Sequence, residues 1–258
     1  AYGEAVDCLH QLRAAGKRVI FLSNAPRRAA KVGDSLEEKG IARALHDGVL
    51  SSGEAARFSF EAGGEPLLGK LGKRYFLLAT PSDDDLLYGL DYAPSATVAE
   101  ADFLLAIGLS DARPDLAAHE ALLQDAASRG LTMVCVNPDR EVIRLGTREL
   151  CAGALAARYE QMGGAAAYVG KPHPLVYRLS LDMLGIAQKA RVLAVGDGME
   201  TDISGAKIAG IDSLLVTGGL LAKQLGVSRL DSPEPAALAE ICRQAKQRPR
   251  AAIPALRW

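Results

Sequence analysis

One stretch, VLAVGDGMETDISGA, constrains the fold of this 258-residue chain more than any other. Its first part, Val192–Val195, is an apolar, β-branched run with the length of a buried strand. Asp197 follows that run, at the edge where open α/β sheets place their ligands. Thr201 is a natural N-cap for an Ala-rich helix that it opens together with Asp202. The pattern therefore predicts that Asp197 and Asp202 flank one strand-to-helix turn.

Two carboxylates at such a turn have two interpretations. They are suitable ligands for Mg²⁺, which binds carboxylate oxygens and keeps some of its waters. Alternatively, Asp197 is a turn former, and Asp202 is a first-turn residue that complements the helix dipole. Other parts of the chain favour the metal site.

Composition excludes several classes of protein. Apolar content is 49% and charged content is 24%, which is typical of a globular chain, and the net charge of −1 gives no electrostatic basis for binding nucleic acid or an anionic membrane. No apolar run approaches the roughly 20 residues that span a bilayer. Four scattered cysteines without a C-x-x-C pair indicate buried thiols in a reducing compartment, so we expect a cytoplasmic protein.

Apolar runs alternate with helical patterns along the chain, which indicates an α/β fold with parallel sheets. Strands are predicted at 19–22, 49–50, 75–79, 103–107, 131–136, 141–143, 192–195 and 213–216. Helices are predicted at 4–15, 27–39, 54–61, 82–90 (capped by Ser82), 115–127, 153–161, 175–184, after Thr201, and at 236–245. The basic segment beyond the last helix has no evident core pattern. We find no internal repeat in the sequence.

Three polar clusters fall at predicted strand ends: Ser23-Asn24, Lys171, and Asp197 with Asp202. A hydroxyl beside backbone N–H groups can hold phosphate oxygens, and a lysine adds a point charge for a phosphoryl group. Each cluster also has a structural interpretation, since a lone Ser-Asn pair such as Ser23-Asn24 is more often a helix cap, and a lone lysine such as Lys171 is by default solvated. Asn137-Pro138-Asp139 is a common turn sequence.

Competing motifs are absent from the sequence. Gly196-Asp-Gly198 is not followed by the third glycine of the dinucleotide fingerprint. Gly170-Lys171 is followed by Pro172 and not by Ser or Thr, which excludes a Walker P-loop. The chain contains no G-x-S-x-G nucleophile elbow.

The order and spacing of three segments resemble a known family. FLSN at 21–24, VGKPHP at 169–174 and VGDGMETDI at 195–203 resemble the second, third and fourth motifs of haloacid dehalogenase-like phosphohydrolases. The α/β insert between the second and third motifs resembles the class IIA cap of the NagD-like subfamily. Asn137-Pro-Asp139 and the CAGA sequence at 151–154 match strings typical of that cap.

This resemblance implies a fold, a domain division and a set of roles. The fold would be a Rossmann-like three-layer core with a parallel sheet and an inserted α/β cap of class IIA type. The core would comprise 1–74 and 165–258, and the cap 75–164. Ser23 and Asn24 would bind phosphoryl oxygens, Lys171 would stabilise the transferring group, Asn137 and Asp139 would be candidate substrate-binding residues, and Asp197 and Asp202 would bind Mg²⁺.

The implied activity is Mg²⁺-dependent hydrolysis of a small-molecule phosphate monoester through an aspartyl-phosphate intermediate. The cap would close over the site and choose the substrate. The oligomeric state is not specified, and a homodimer stays open. The alternative is a non-catalytic phospho-ligand-binding or regulatory protein that has lost the nucleophile.

The family's first motif, Asp-x-Asp on the first strand, is missing ahead of the helix at Glu4, and Asp7 lies inside that helix. A helix in a parallel sheet normally crosses between two strands. We therefore expect an N-terminal strand and loop of roughly 15–25 residues before Ala1, carrying the nucleophilic Asp.

Overall fold

A computed structural model covers the chain and describes residues 1–62, 68, 71–79, 85–109, 115–144 and 147–258. Contacts divide the protein into two compact units. Unit 1 consists of Ala1–Leu22, Gly33–Val49 and Lys171–Trp258, and unit 2 consists of Ser23–Val32 and Leu50–Gly170.

Helices and strands alternate along most of the described chain, as the sequence pattern predicts. The helices are α1 Gly3–Ala14, α2 Ala29–Glu38, α3 Ser52–Glu61, α4 Glu120–Ser128, α5 Ala152–Gln161, α6 Pro174–Leu184, α7 Ser204–Ala209, α8 Ala222–Leu225 and α9 Pro235–Gln244. The strands are β1 Ile20–Ser23, β2 Gly48–Ser51, β3 Arg74–Leu78, β4 Ala93–Pro94, β5 Phe103–Ala106, β6 Thr132–Cys135, β7 Glu141–Arg144, β8 Thr147–Leu150, β9 Ala165–Tyr168, β10 Leu193–Gly196, β11 Asp212–Val216 and β12 Ala251–Ile253. Short 3₁₀ turns and one π-helical turn, Met199–Ile203, connect some of them.

Unit 2 is built on a parallel five-stranded sheet with the order β4-β3-β5-β6-β9. Strand β5 is buried along its whole length, because β3 and β6 flank it in the sheet and helices pack on the faces of the sheet. Leu104, Leu123, Leu155 and Tyr159 belong to the core of this unit, and none of them is exposed. An antiparallel hairpin, β7–β8, leads into α5.

Unit 1 contains a parallel three-stranded sheet with the order β10-β11-β12. Met199, Ile203 and Leu215 form its buried core against the apolar face of α9. A second cluster, formed by Leu9 of α1 with Ile41, lies beside the part of β1 that belongs to this unit. The predicted α/β fold with parallel sheets is confirmed.

Strands β1 and β10 belong to separate sheets. Strand β1 pairs with β2, and β10 pairs with β11; among the described residues neither has a partner on its other side. Leu193 and Val195 of β10 are 51% and 44% exposed, which is unusual for a strand of a parallel sheet because helices normally cover both faces.

Three sequence predictions differ from the structure. Ser82 lies outside the described residues, and residues 85–90 form turns instead of the predicted helix. The basic C-terminal segment does contribute to the core, since Ala251–Ile253 pairs with β11 and Ala255 is buried. Three apolar residues are too few to show a period, so only the pairing reveals this strand.

The third difference concerns Thr201, which was predicted to cap a helix. The helical turn already begins at Met199, and Thr201 lies inside it and caps nothing. The predicted domain bounds, 1–74, 75–164 and 165–258, stay a prediction. None of the described helices is long and apolar enough to cross a membrane.

Candidate active site

Asp197 lies at the carboxyl edge of the unit 1 sheet. Strands β10 and β11 are parallel, with Gly196 opposite Leu215, so the loops that follow them meet at one edge. The backbone N–H of Leu220, in the second loop, donates to Asp197 Oδ2 at 3.0 Å. Gly219 permits this approach, because a Cβ there would lie 2.1 Å from the same oxygen.

Asp202 turns back over the same loop and pairs with Lys171. Its Oδ1 accepts from Lys171 Nζ at 2.7 Å, and its Oδ2 accepts from the backbone N–H of Gly198 at 3.0 Å. Each side chain of this ion pair is 15% exposed. At Gly196 a Cβ would lie 2.3 Å from Asp202 Cγ, so the two glycines on either side of Asp197 make room for this carboxylate.

Tyr177 of α6 supports the helical turn that carries Asp202. Its hydroxyl lies 3.3 Å from the carbonyl oxygen of Thr201 and 3.2 Å from that of Asp202, both within hydrogen-bond distance. Burial, with a smaller contribution from the nearby Asp202 charge, raises the pKa of Tyr177 well above its usual value, so the phenol stays a neutral donor. The turn is thereby tied to a helix 24 residues earlier in the chain.

Asn24 and Asp139 come together in unit 2. Asn24 is buried, and its Nδ2 donates to Asp139 Oδ1 at 2.9 Å. The Ser52 hydroxyl lies 3.4 Å from Asn24 Oδ1, at the long end of hydrogen-bond distance. The amide of Asn24 is therefore held from both of its ends by side chains from distant segments.

The loops that carry these residues are shaped by local hydrogen bonds. Asn137 Oδ1 accepts from the backbone N–H of Asp139 at 3.1 Å, and Ser23 Oγ accepts from that of Ala25 at 3.1 Å. Such contacts are the usual way in which Asn and Ser shape turns. They show the structural role of Ser23 and Asn137, while the binding roles of both residues stay predictions.

The same loop–helix arrangement occurs twice in unit 2. Gly53, near the start of α3, packs on the carbonyl oxygen of Pro26, and Gly153, near the start of α5, packs on that of Pro138. In each case a Cβ would lie 2.2 Å from that oxygen. Each glycine N–H also donates at 3.2 Å to the carbonyl oxygen of a neighbouring loop residue. The sequence shows no internal repeat, but in each case the carbonyl oxygen of a loop proline lies against a glycine near the start of a ten-residue helix. The two loops differ in which residue accepts the glycine N–H, Ala25 before Pro26 and Asp139 after Pro138.

Comparisons with known proteins identify the family. A family model described as haloacid dehalogenase-like hydrolase matches residues 1–92, and one described as HAD-hydrolase-like matches residues 168–250. The crystal structure of a hydrolase of the haloacid dehalogenase-like family from Brucella suis 1330 is 30% identical, with a TM-score of 0.80, and the match covers 99% of this chain and 89% of that one. This chain belongs to the haloacid dehalogenase-like hydrolase family.

Curated relatives confirm the predicted NagD-like branch and a phosphohydrolase class. Sugar-phosphatase AraL of Bacillus subtilis is 28% identical over 240 residues, which is 89% of this chain and 81% of that protein. Ribonucleotide monophosphatase NagD of Escherichia coli K12 is 34% identical over 94 residues, 36% of each chain. The Rossmann-like core with a cap, predicted from the motifs, is the fold of the matching family structures.

Within this haloacid dehalogenase-like chain, the predicted site residues form two groups, each inside one unit. Lys171, Asp202 and Asp197 lie together around the loop after β10 in unit 1. Asn24 and Asp139 are bonded to each other in unit 2.

Asp197 and Asp202 have the donor chemistry that a hard cation requires. No group of three or more His, Cys, Asp or Glu side chains forms a metal cluster in the part of the chain that the structure describes. A magnesium ion in a phosphoryl-transfer enzyme does not need such a cluster, because one or two carboxylates bind it together with waters and substrate phosphate oxygens. The donor chemistry of these residues therefore fits Mg²⁺, and both oxygens of Asp202 already accept hydrogen bonds from Lys171 and Gly198. The predicted roles of Asp197 and Asp202 as metal ligands stay predictions.

Sequence reasoning missed the residues that hold this site in place. Tyr177 lies on an amphipathic helix, where a buried tyrosine is indistinguishable from an ordinary core residue. Ser52 follows β2 at a strand end, and that position was a usable signal. The Gly218-Gly219 pair after β11 is typical of a turn, but nothing local to it indicates a contact with Asp197.

Proposed function

We propose that this haloacid dehalogenase-like phosphohydrolase catalyses Mg²⁺-dependent hydrolysis of a small-molecule phosphate monoester. The observation that supports this proposal is the Lys171–Asp202 ion pair, in which each side chain is 15% exposed. The pair lies beside Asp197 at the carboxyl edge of β10. A fixed cation next to carboxylates of this kind is suited to a reaction in which negative charge on phosphoryl oxygens must be stabilised. The relatives named sugar-phosphatase and ribonucleotide monophosphatase act on small phosphorylated molecules and support this substrate class.

Each residue of the unit 1 group has a distinct proposed role. Asp197 would hold Mg²⁺, which supplies charge neutralisation for the phosphoryl group when it is bound. Lys171 donates to anionic oxygens, and Asp202 keeps the ammonium group in position through the 2.7 Å contact. The N–H of Leu220 holds one carboxylate oxygen of Asp197, and this contact sets the direction of the other oxygen. In unit 2, Ser23 and Asn24 are both proposed to bind phosphoryl oxygens, and the hydrogen bond from Asn24 to Asp139 orients the Asn24 amide.

The proposed nucleophile is an aspartate on a strand outside the 258 residues, placed between β1 and β10. Both strands have an edge without a partner among the described residues, and β10 exposes Leu193 and Val195. A strand spaced about 4.8 Å from each would satisfy the backbone groups of both edges. Its carboxyl end would lie at the same edge as Asp197. There its aspartate would attack the phosphorus atom, the ester P–O bond would break with release of the alcohol, and water would then hydrolyse the aspartyl-phosphate to inorganic phosphate.

Four free thiols among the described residues, Cys8, Cys135, Cys151 and Cys242, support the proposal of a reducing, cytoplasmic location. The homodimer that the family resemblance leaves open stays a prediction.

Full-length protein tests the proposal through the hydrolysis of p-nitrophenyl phosphate with and without Mg²⁺. Asp197→Asn should abolish Mg²⁺-dependent turnover and Mg²⁺ binding in calorimetry, while circular dichroism shows an intact fold. Asp7→Asn is the matched control, because Asp7 is an exposed residue of α1. Wild-type Mg²⁺ affinity in Asp197→Asn would remove Asp197 as a ligand.

The additional strand is tested by measuring the intact mass of the native protein. An additional strand that carries no aspartate would favour the alternative, a phospho-ligand-binding protein.

A further inference from the structure

The end of α9 and the segment that joins it to β12 form one strongly basic stretch. It contains Arg243, Lys246, Arg248 and Arg250 within eight residues of a chain whose net charge is −1. Because β10, β11 and β12 are parallel, the segment that leads into β12 lies at the amino-terminal edge of the sheet. Asp197 lies at the opposite edge, about 15 Å away for strands of four or five residues.

This basic segment lines two neighbouring cavities in unit 1. The first has a volume of about 480 Å³ and is lined in part by Lys207, Arg248 and Arg250. The second has a volume of about 710 Å³, and Lys207, Lys246 and Arg248 contribute to its wall. Both volumes are in the range of sites that hold small molecules.

The cations around the cavities are largely uncompensated. Arg243 forms an ion pair with Glu240, which neutralises it. Arg248 and Arg250 form no ion pair with any residue that the structure describes. Lys207 donates through Nζ to the carbonyl oxygen of Lys246 at 2.9 Å, an uncharged partner. Asp212 is the carboxylate in the lining of the first cavity.

Gln247 lies between the two cavities and contributes to the wall of each. Its Oε1 is buried and accepts no hydrogen bond from any described residue.

Lys246 occupies a backbone conformation that usually selects glycine. Its φ is 53°, the left-handed region, directly after α9. Hydrogen bonds from the N–H groups of Lys246 and Gln247 to Arg243 and Cys242 complete the helix C-terminus, where glycine is the commonest residue. A lysine at this position therefore costs the fold free energy relative to glycine.

We propose that these two cavities, the amino-edge site, bind a small polyanion with at least two anionic groups, of the diphosphate class. Lys246, Arg248 and Arg250 bind its anionic oxygens. The site lies at the edge of the sheet opposite Asp197 and Lys171, so it is separate from the proposed catalytic residues.

Isothermal titration with inorganic pyrophosphate, without divalent metal, tests the amino-edge site. The double variant Arg248→Ala/Arg250→Ala should weaken the affinity at least tenfold. Lys171→Ala and the surface control Lys17→Ala should each leave it within about twofold. An affinity unaffected by the double variant, or lost with Lys171→Ala, would overturn the proposal. Binding of heparin without binding of pyrophosphate would also overturn it, in favour of a macromolecular partner.

The variant Lys246→Gly separates a loss of pyrophosphate binding from a loss of folding. Glycine relieves the left-handed backbone, so the melting temperature should rise by about 2–4 °C. Pyrophosphate affinity should fall at least threefold in the same variant, because one cation is removed. A more stable protein with unchanged affinity would show that Lys246 does not contact the ligand and would contradict the proposed set of ligand contacts.

Discussion

Asn24 donates a 2.9 Å hydrogen bond to Asp139, although 115 residues separate them in sequence. The contact joins the loop after β1 to the loop after β6 within unit 2. It gives Asp139 a structural role, because a buried amide loses its orientation when its acceptor is removed.

Asp139→Ala is expected to lower the free energy of unfolding by about 1–3 kcal/mol, because it leaves the Asn24 amide buried without this acceptor. Asp139→Asn keeps an acceptor oxygen in the same place, so its free energy of unfolding should fall by less than that of Asp139→Ala. Urea unfolding monitored by circular dichroism measures both variants. Equal stability of Asp139→Ala and wild type would show that the contact contributes nothing.

Lys171→Ala is expected to lower kcat of the full-length enzyme by roughly 10²-fold or more, the scale for loss of a preorganised electrostatic group. It also leaves the largely buried carboxylate of Asp202 without its cation. Steady-state kinetics on a phosphate monoester measures the effect, with Lys17→Ala as the control for loss of a surface charge. A rate within a few-fold of wild type would make Lys171 an ordinary lysine.

Gly219→Ala is expected to move Asp197, because the new Cβ would lie 2.1 Å from its Oδ2. We expect Mg²⁺ affinity to fall about tenfold or more, equivalent to about 1.4 kcal/mol. Gly3→Ala is the matched control, since a Cβ there meets nothing within 4 Å. Calorimetry with Mg²⁺ compares the two, and equal affinities would show that the loop relaxes without cost.

Glu54→Gln tests an acid-dependent contribution to stability. Burial alone would raise the pKa of Glu54, but hydrogen bonds from Arg28 and from the N–H of Ala29 outweigh it, so the pKa lies below its ordinary value of 4.5. A lowered pKa stabilises the folded state above the unfolded-state pKa, and this contribution disappears as pH falls through the folded-state value. At pH 7 the variant should therefore be less stable than wild type by about 1–3 kcal/mol.

The comparison of wild type with Glu54→Gln also predicts how the stability difference depends on pH. The difference in unfolding free energy between wild type and Glu54→Gln should be constant above about pH 5 and should shrink below about pH 4. Chemical unfolding at pH 3, 5 and 7 measures it. A difference that grows on acidification would contradict the assigned sign.

Local patterns were sufficient to predict most of the secondary structure. An apolar, β-branched run ended by glycine indicates a strand wherever it occurs, which is why β10 and the strand-end position of Asp197 were predicted correctly. Gly16, Gly130 and Gly185 end helices with positive φ, as expected for glycine at a C-terminus. The family resemblance was also predictable, because its motifs are contiguous strings of residues.

Tertiary structure alone decided the partners of those residues. Asp202 was predicted in the first turn of a helix capped by Thr201, but Lys171 and Tyr177 reach it from a segment about 30 residues earlier and hold a different turn. Strand β12 is too short to show a period and exists because β11 offers it a parallel edge. Periodicity and capping are local properties that the sequence determines by itself, whereas pairing across long separations depends on which surfaces the folded chain brings together.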